Sequence, residues 1–100
     1  MKVLNLVIHK ELVEADLNAP EHVLERIAEI EAPGTDVAQI PFSLAIDNRK
    51  EMAKAPEMAK GYDLVVLYGV SRDCCLGTVA RHLHKAGIPV TYDISGTYSG

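Results

Sequence analysis

Two stretches without a charge, "VLNLVI" (Val3 to Ile8) and "LVVLYGV" (Leu64 to Val70), limit what this chain can fold into. Both are too short for buried helices, and neither alternates between apolar and polar positions as a half-exposed strand does. Continuous runs of this length read as strands buried on both faces, which is the condition of a parallel sheet covered by helices. Two weaker strand candidates, "DVAQIPF" (Asp36 to Phe42) and "IPVTYD" (Ile88 to Asp93), complete the set. Pro41 offers no amide to a ladder, so the first of these belongs at a sheet edge or ends at the proline.

The intervals between the runs carry helical spacing. From about Pro20 to Glu31, Val23, Leu24, Ile27, Ala28 and Ile30 form an apolar face, with Asn18 as a capping candidate and "APG" as a stop. A second helix begins near Asn48, with Glu51 at capping-box spacing. It turns Met52, Ala55, Met58 and Ala59 inward and ends at Gly61. Pro56 inside it removes an amide donor, which predicts a kink or two short helices. The third places Leu76, Val79, Ala80 and Leu83 on one face and closes at Gly87. The resulting order β-α-β-α-β-α-β predicts one domain over residues 1–100. Its fold is a three-layer α/β/α sandwich around a four-stranded parallel sheet of Rossmann or flavodoxin-like type, strand order 2-1-3-4. "KELVEADLNA" then reads as a long loop after the first strand, with Glu11, Glu14 and Asp16 as solvated acidic surface.

Composition narrows the partners. The 100 residues carry 10 basic and 14 acidic side chains, for a net charge of -4, and no basic stripe, so nucleic acid is not expected as a partner. The apolar runs are too short to span a bilayer, and the N-terminus reads as a strand rather than a signal peptide. The 2 cysteines are neighbours, a poor geometry for a disulfide, which suits a reducing, cytoplasmic setting. No G-x-G-x-x-G, P-loop or zinc spacing occurs, so neither a cofactor nor a metal is expected; His82 and His84 point to different sides of their helix. A small sheet with two open edges favours a homo-oligomer, held partly through Met52 and Met58 of the second helix.

The chemistry concentrates in "YGVSRDCCLGT" (Tyr68 to Thr78). It lies between the third strand and third helix, on the sheet edge where α/β folds bind ligands. A cysteine at a helix N-terminus feels unpaired amides and the positive end of the helix dipole, both of which favour the thiolate. The same amides suit an oxyanion. Asp73 can cap the helix or orient a proton carrier. Against this stands a second reading of equal weight, in which Cys74 and Cys75 are two small apolar residues. His9, ending the first strand, is placed to act as the base of a Cys75–His9 pair or to bond within its own loop. Ser95, Gly96, Thr97 and Ser99 read as anion donors after the last strand or as a frayed tail.

"LYGVSRDCCLGTVARHLHKAGIPVT" resembles the nucleophile segment of the isochorismatase-like cysteine hydrolases, the family that includes nicotinamidases. That pattern is a strand, Gly-Val-x-Thr-Asp-x-Cys-Val, a helix ending in glycine and a return strand. Gly69, Val70, Asp73, Cys75, Leu83, Gly87 and Val90 fall in step with it. "DVAQIPFSLAIDN" loosely resembles the stretch carrying the family's lysine. The resemblance covers about the C-terminal 60 residues of the chain. It implies a hydrolase of small amides or esters with Cys75 as nucleophile. It also implies a cis Val70–Ser71 peptide, and an oxyanion or ligand site made by Val70, Ser71, Arg72 and Cys74. The chain departs from the family at His9, where an aspartate base is usual, at Gln39 to Pro41 in place of the lysine, and at Arg72 in place of threonine. Those departures favour a non-catalytic ligand-binding or subunit module, and both functions stand open on the sequence.

Overall fold

A computed structural model describes residues 1–99. Four parallel strands, β1 (Val3–Ile8), β2 (Val37–Ile40), β3 (Leu64–Val70) and β4 (Val90–Tyr98), form one sheet in the order β2-β1-β3-β4. The expected fold class and strand order are therefore present. Helices α1 (Lys10–Ala15) and α2 (Glu21–Ile30) lie on one face; α3 (Asn48–Met52), α4 (Ala55–Met58) and α5 (Cys75–Lys85) lie on the other. Among the described residues no helix is long and apolar enough to cross a membrane.

The two uncharged strands sit in the centre because both of their faces are buried. In β1, Leu4, Leu6 and Ile8 enter the core beneath α3–α5, with Ile40, Leu67, Leu76, Val79 and Leu83. Val7 turns the other way, into a second core with Val13, Val23, Ile27, Tyr68, Val70 and Tyr98. Asn5 shares that face, and accepts the Tyr68 hydroxyl at 2.8 Å. A polar side chain inside an apolar run is thus satisfied by the neighbouring strand.

Several local readings change. "KELVEA" is a helix, not a loop: His9 turns the chain in the left-handed region (φ 56), and its carbonyl accepts the Leu12 amide at 2.9 Å. Pro20, not Asn18, occupies the N-cap of α2, and Asp47, one residue ahead of Asn48, caps α3 by accepting the Lys50 amide at 3.2 Å. Pro56 does split the second helical pattern into α3 and α4. Met52 is buried and Met58 half-buried against the chain's own core, so these methionines are not an exposed patch for a second copy.

The last strand runs past Asp93 to Tyr98. Leu67 pairs with Tyr92 and Gly69 with Thr97, so Asp93 to Gly96 bulge out of the ladder. The Asp93 carboxylate organises this bulge, accepting from the Ser95 hydroxyl (2.7 Å), the Gly96 amide (2.9 Å) and Arg26 Nε of α2 (3.0 Å). Burial alone would raise the Asp93 pKa, but Ser95 and Arg26 outweigh it and hold it below its ordinary value. Thr97 is buried and gives its hydroxyl to the Asp93 carbonyl at 2.9 Å. Ser95 and Gly96 thus serve the Asp93 carboxylate and Thr97 its carbonyl, so these three are neither a frayed tail nor an anion site, while Ser99 lies beyond the strand.

Candidate functional site

The β3–α5 junction lies at the carboxyl edge of the sheet, as the alternation of strands and helices requires. The Val70–Ser71 peptide is cis. From there the segment folds back on itself, with the Ser71 carbonyl accepting the Cys74 amide at 3.1 Å and the Leu76 amide at 3.0 Å. The Arg72 amide donates to the Tyr98 carbonyl at 3.2 Å, tying the junction to the end of β4. The Arg72 and Cys74 amides, two of those expected to serve an oxyanion, are therefore engaged within the chain. The Cys75 amide, by contrast, donates to no backbone carbonyl among the described residues.

The two cysteines differ in surroundings. Cys74 is exposed and precedes α5; Cys75 is half-buried and packs against the core under α3–α5. Burial pushes the Cys75 thiol up, and the neighbouring Cys74 adds to the rise; the Ser71 backbone amide opposes both. Desolvation disfavours the thiolate, so burial acts against the activation expected at a helix terminus. Asp73 is exposed and accepts the Ser71 hydroxyl at 2.6 Å, a contact that holds its carboxyl below the usual range. That contact leaves it serving the junction's own serine rather than a proton carrier.

His9 is not hydrogen-bonded to Cys75. Its side chain is 1% exposed, neither ring nitrogen has a partner, and the ring meets Phe42 edge-on with centroids 5.3 Å apart. Its backbone amide donates to the Ile40 carbonyl at 2.9 Å, tying the end of β1 to the end of β2. Burial lowers the His9 pKa, with Glu11 opposing. The unfolded chain accordingly takes up the proton first. His9's contribution to stability is full above the unfolded value of 6.5 and is lost as pH falls from there through the lower folded value. We expect urea-unfolding free energies to decline across this window by up to ~1.4 kcal/mol per pH unit from this group. Asparagine tolerates the left-handed backbone at this position. His9→Asn should therefore flatten the decline while keeping the turn, and an unchanged pH profile in that variant would assign the decline to other groups.

A second group of side chains gathers on the opposite face of the same edge. Asp16, Asn18, Pro20, Arg72, Tyr98 and Ser99 line an open groove of about 540 Å³. Asp16 is half-buried, not solvated surface. Its carboxylate accepts the Asn18 amide at 2.9 Å and the Tyr98 hydroxyl at 2.9 Å. Burial and the adjacent Asp16 push the Tyr98 phenol up to about 12, so it stays protonated as the donor. Arg72 donates from Nη2 to the Thr97 carbonyl at 3.3 Å, while its buried Nε has no protein partner. Among the described residues, no carboxylate forms an ion pair with Arg72. Sequence reading names Arg72 but misses Asp16 and Tyr98, which come from distant segments and carry no motif.

Fold and site together define an α/β sandwich with a half-buried thiol on one side of its carboxyl edge and an arginine-bearing groove on the other. No group of His, Cys, Asp and Glu among the described residues is arranged to hold a metal ion. No family model matches the chain, and no match to it was found among curated proteins or solved structures.

Proposed function

We propose that this chain is a small-molecule-binding α/β module of degenerate isochorismatase-like type, which binds at its carboxyl edge without turnover at Cys75. The observation that carries this reading is the absence of any hydrogen bond from His9 to the thiol, both imidazole nitrogens being unpartnered. A nucleophilic cysteine needs a base within reach or a lowered pKa, and here burial raises the thiol. A cysteine hydrolase, in which Cys75 attacks the carbonyl of a small amide or ester, is the second reading. It is favoured by the Ser71 amide, which stabilises the thiolate, and by the unengaged Cys75 amide. Self-association through the β2 and β4 edges is compatible with either.

Iodoacetamide labelling followed by intact mass across pH separates the two. Cys74 should label first, and Cys75 more slowly, with a midpoint above the free-thiol value of ~8.5. A Cys75 midpoint below that value, together with 4-nitrophenyl acetate turnover abolished in Cys75→Ala, would establish the hydrolase instead.

A further inference from the structure

We infer that the groove between the α1–α2 connection and the end of β4 binds a small carboxylic acid that carries a neighbouring hydrogen-bond donor, as α-hydroxy and α-amino acids do. This rests on the proposed small-molecule-binding function but not on the state of Cys75, which packs on the other side of the sheet. The first argument is charge. Arg72 lines the groove with one long hydrogen bond to a carbonyl and no carboxylate partner among the described residues. A planar guanidinium matches a planar carboxylate through two parallel N–H···O bonds, and Arg72, on which Asp73 acts only beyond ion-pair distance, has such a fork to offer.

The second argument is the rest of the lining. Asp16 faces the same groove, and each of its oxygens already takes one donor, from Asn18 and from Tyr98. Each oxygen keeps a lone pair, and the Tyr98 oxygen, whose proton is committed to Asp16, also remains an acceptor. The groove thus sets acceptors beside a cationic donor. A multiply charged anion such as phosphate is repelled by Asp16. A monocarboxylate with an adjacent hydroxyl or ammonium group satisfies both sides. The volume of about 540 Å³ falls in the range of small-molecule sites.

Chemical-shift titration of the labelled protein with acetate, glycolate, glycine and inorganic phosphate tests this residue by residue. Glycolate or glycine should bind more tightly than acetate or phosphate, moving the amides of Asp16, Arg72, Tyr98 and Ser99. Arg72→Gln should weaken glycolate binding about tenfold or more, as expected for a hydrogen-bonded charged group. Tyr98→Phe keeps the packed ring and should weaken glycolate severalfold while leaving acetate unchanged; it carries the test if the arginine variant does not fold. Unchanged glycolate affinity in a folded Arg72→Gln, or phosphate binding as tightly as glycolate, would overturn the assignment. Shifts confined to Ser71–Cys75 would overturn it while leaving the small-molecule reading intact, whereas no shift with any probe would count against both.

Discussion

Gly69→Ala is expected to be severely destabilising, lowering the unfolding free energy by more than about 4 kcal/mol. Gly69 has φ 115, outside the range that L side chains adopt readily, and a Cβ there would lie 2.1 Å from the Ile8 carbonyl oxygen. The obstacle is backbone, so no rotamer change relieves it. Gly69 pairs with Ile8 across the two central strands, and Ile8 leads into His9, whose amide holds β2. Relief requires β1 and β3 to part at the edge where both cores meet the functional loops. Dihedral strain of this kind costs about 1–3 kcal/mol, and the clash adds to it. A total above about 4 kcal/mol consumes much of the ~5–15 kcal/mol typical of a whole domain. Gly87 gives the contrast: its φ is 76, but no heavy atom lies within 4 Å of a Cβ there. Alanine at Gly87 should cost only the dihedral strain. Far-ultraviolet dichroism and urea unfolding of both variants check this, and a cooperative transition near the parental midpoint in Gly69→Ala would refute it.

The layout of this sheet is legible in the sequence because burial on both faces leaves an unmistakable mark. "VLNLVI" and "LVVLYGV" can be central strands and little else. The interrupted second helix is legible for a local reason, since Pro56 acts within one turn. What escapes is long-range compensation. "KELVEADLNA" looks like a solvated loop because Glu11, Glu14 and Asp16 are spread along its whole length. Yet Val13 is fully buried, and Asp16 is held by Tyr98 from the far end of the chain. "DISGTY" looks like a tail because its polar groups have no visible partner until Asp93 gathers Ser95, Gly96 and Arg26. The cysteine pair shows the same limit. Position at a helix terminus is readable from spacing, but whether a thiol points into the core is set by α3, α4 and β2, which spacing does not place.

Leu76→Ala is expected to show the next largest effect and to bear on Cys75 at the same time. Leu76 is 0% exposed and follows Cys75 in the first turn of α5, where it enters the core with Ile8, Ile40 and Leu67. It docks the helix N-terminus onto the sheet, while its amide bonds the Ser71 carbonyl at 3.0 Å. Truncation leaves a cavity that a sheet of fixed register closes poorly, so a loss of about 3–4 kcal/mol is expected from urea unfolding. The half-buried Cys75 thiol packs against the same cluster, and its raised pKa comes first from burial. A cavity or a loosened first turn admits water to that thiol and removes part of the desolvation. Cys75 should then alkylate faster and with a lower midpoint than in the parent, while the exposed Cys74 labels as before. A loss under about 1 kcal/mol, typical of surface positions, would place Leu76 outside the core. Normal destabilisation with an unchanged Cys75 midpoint would instead show that the raised thiol pKa does not come from burial against this cluster.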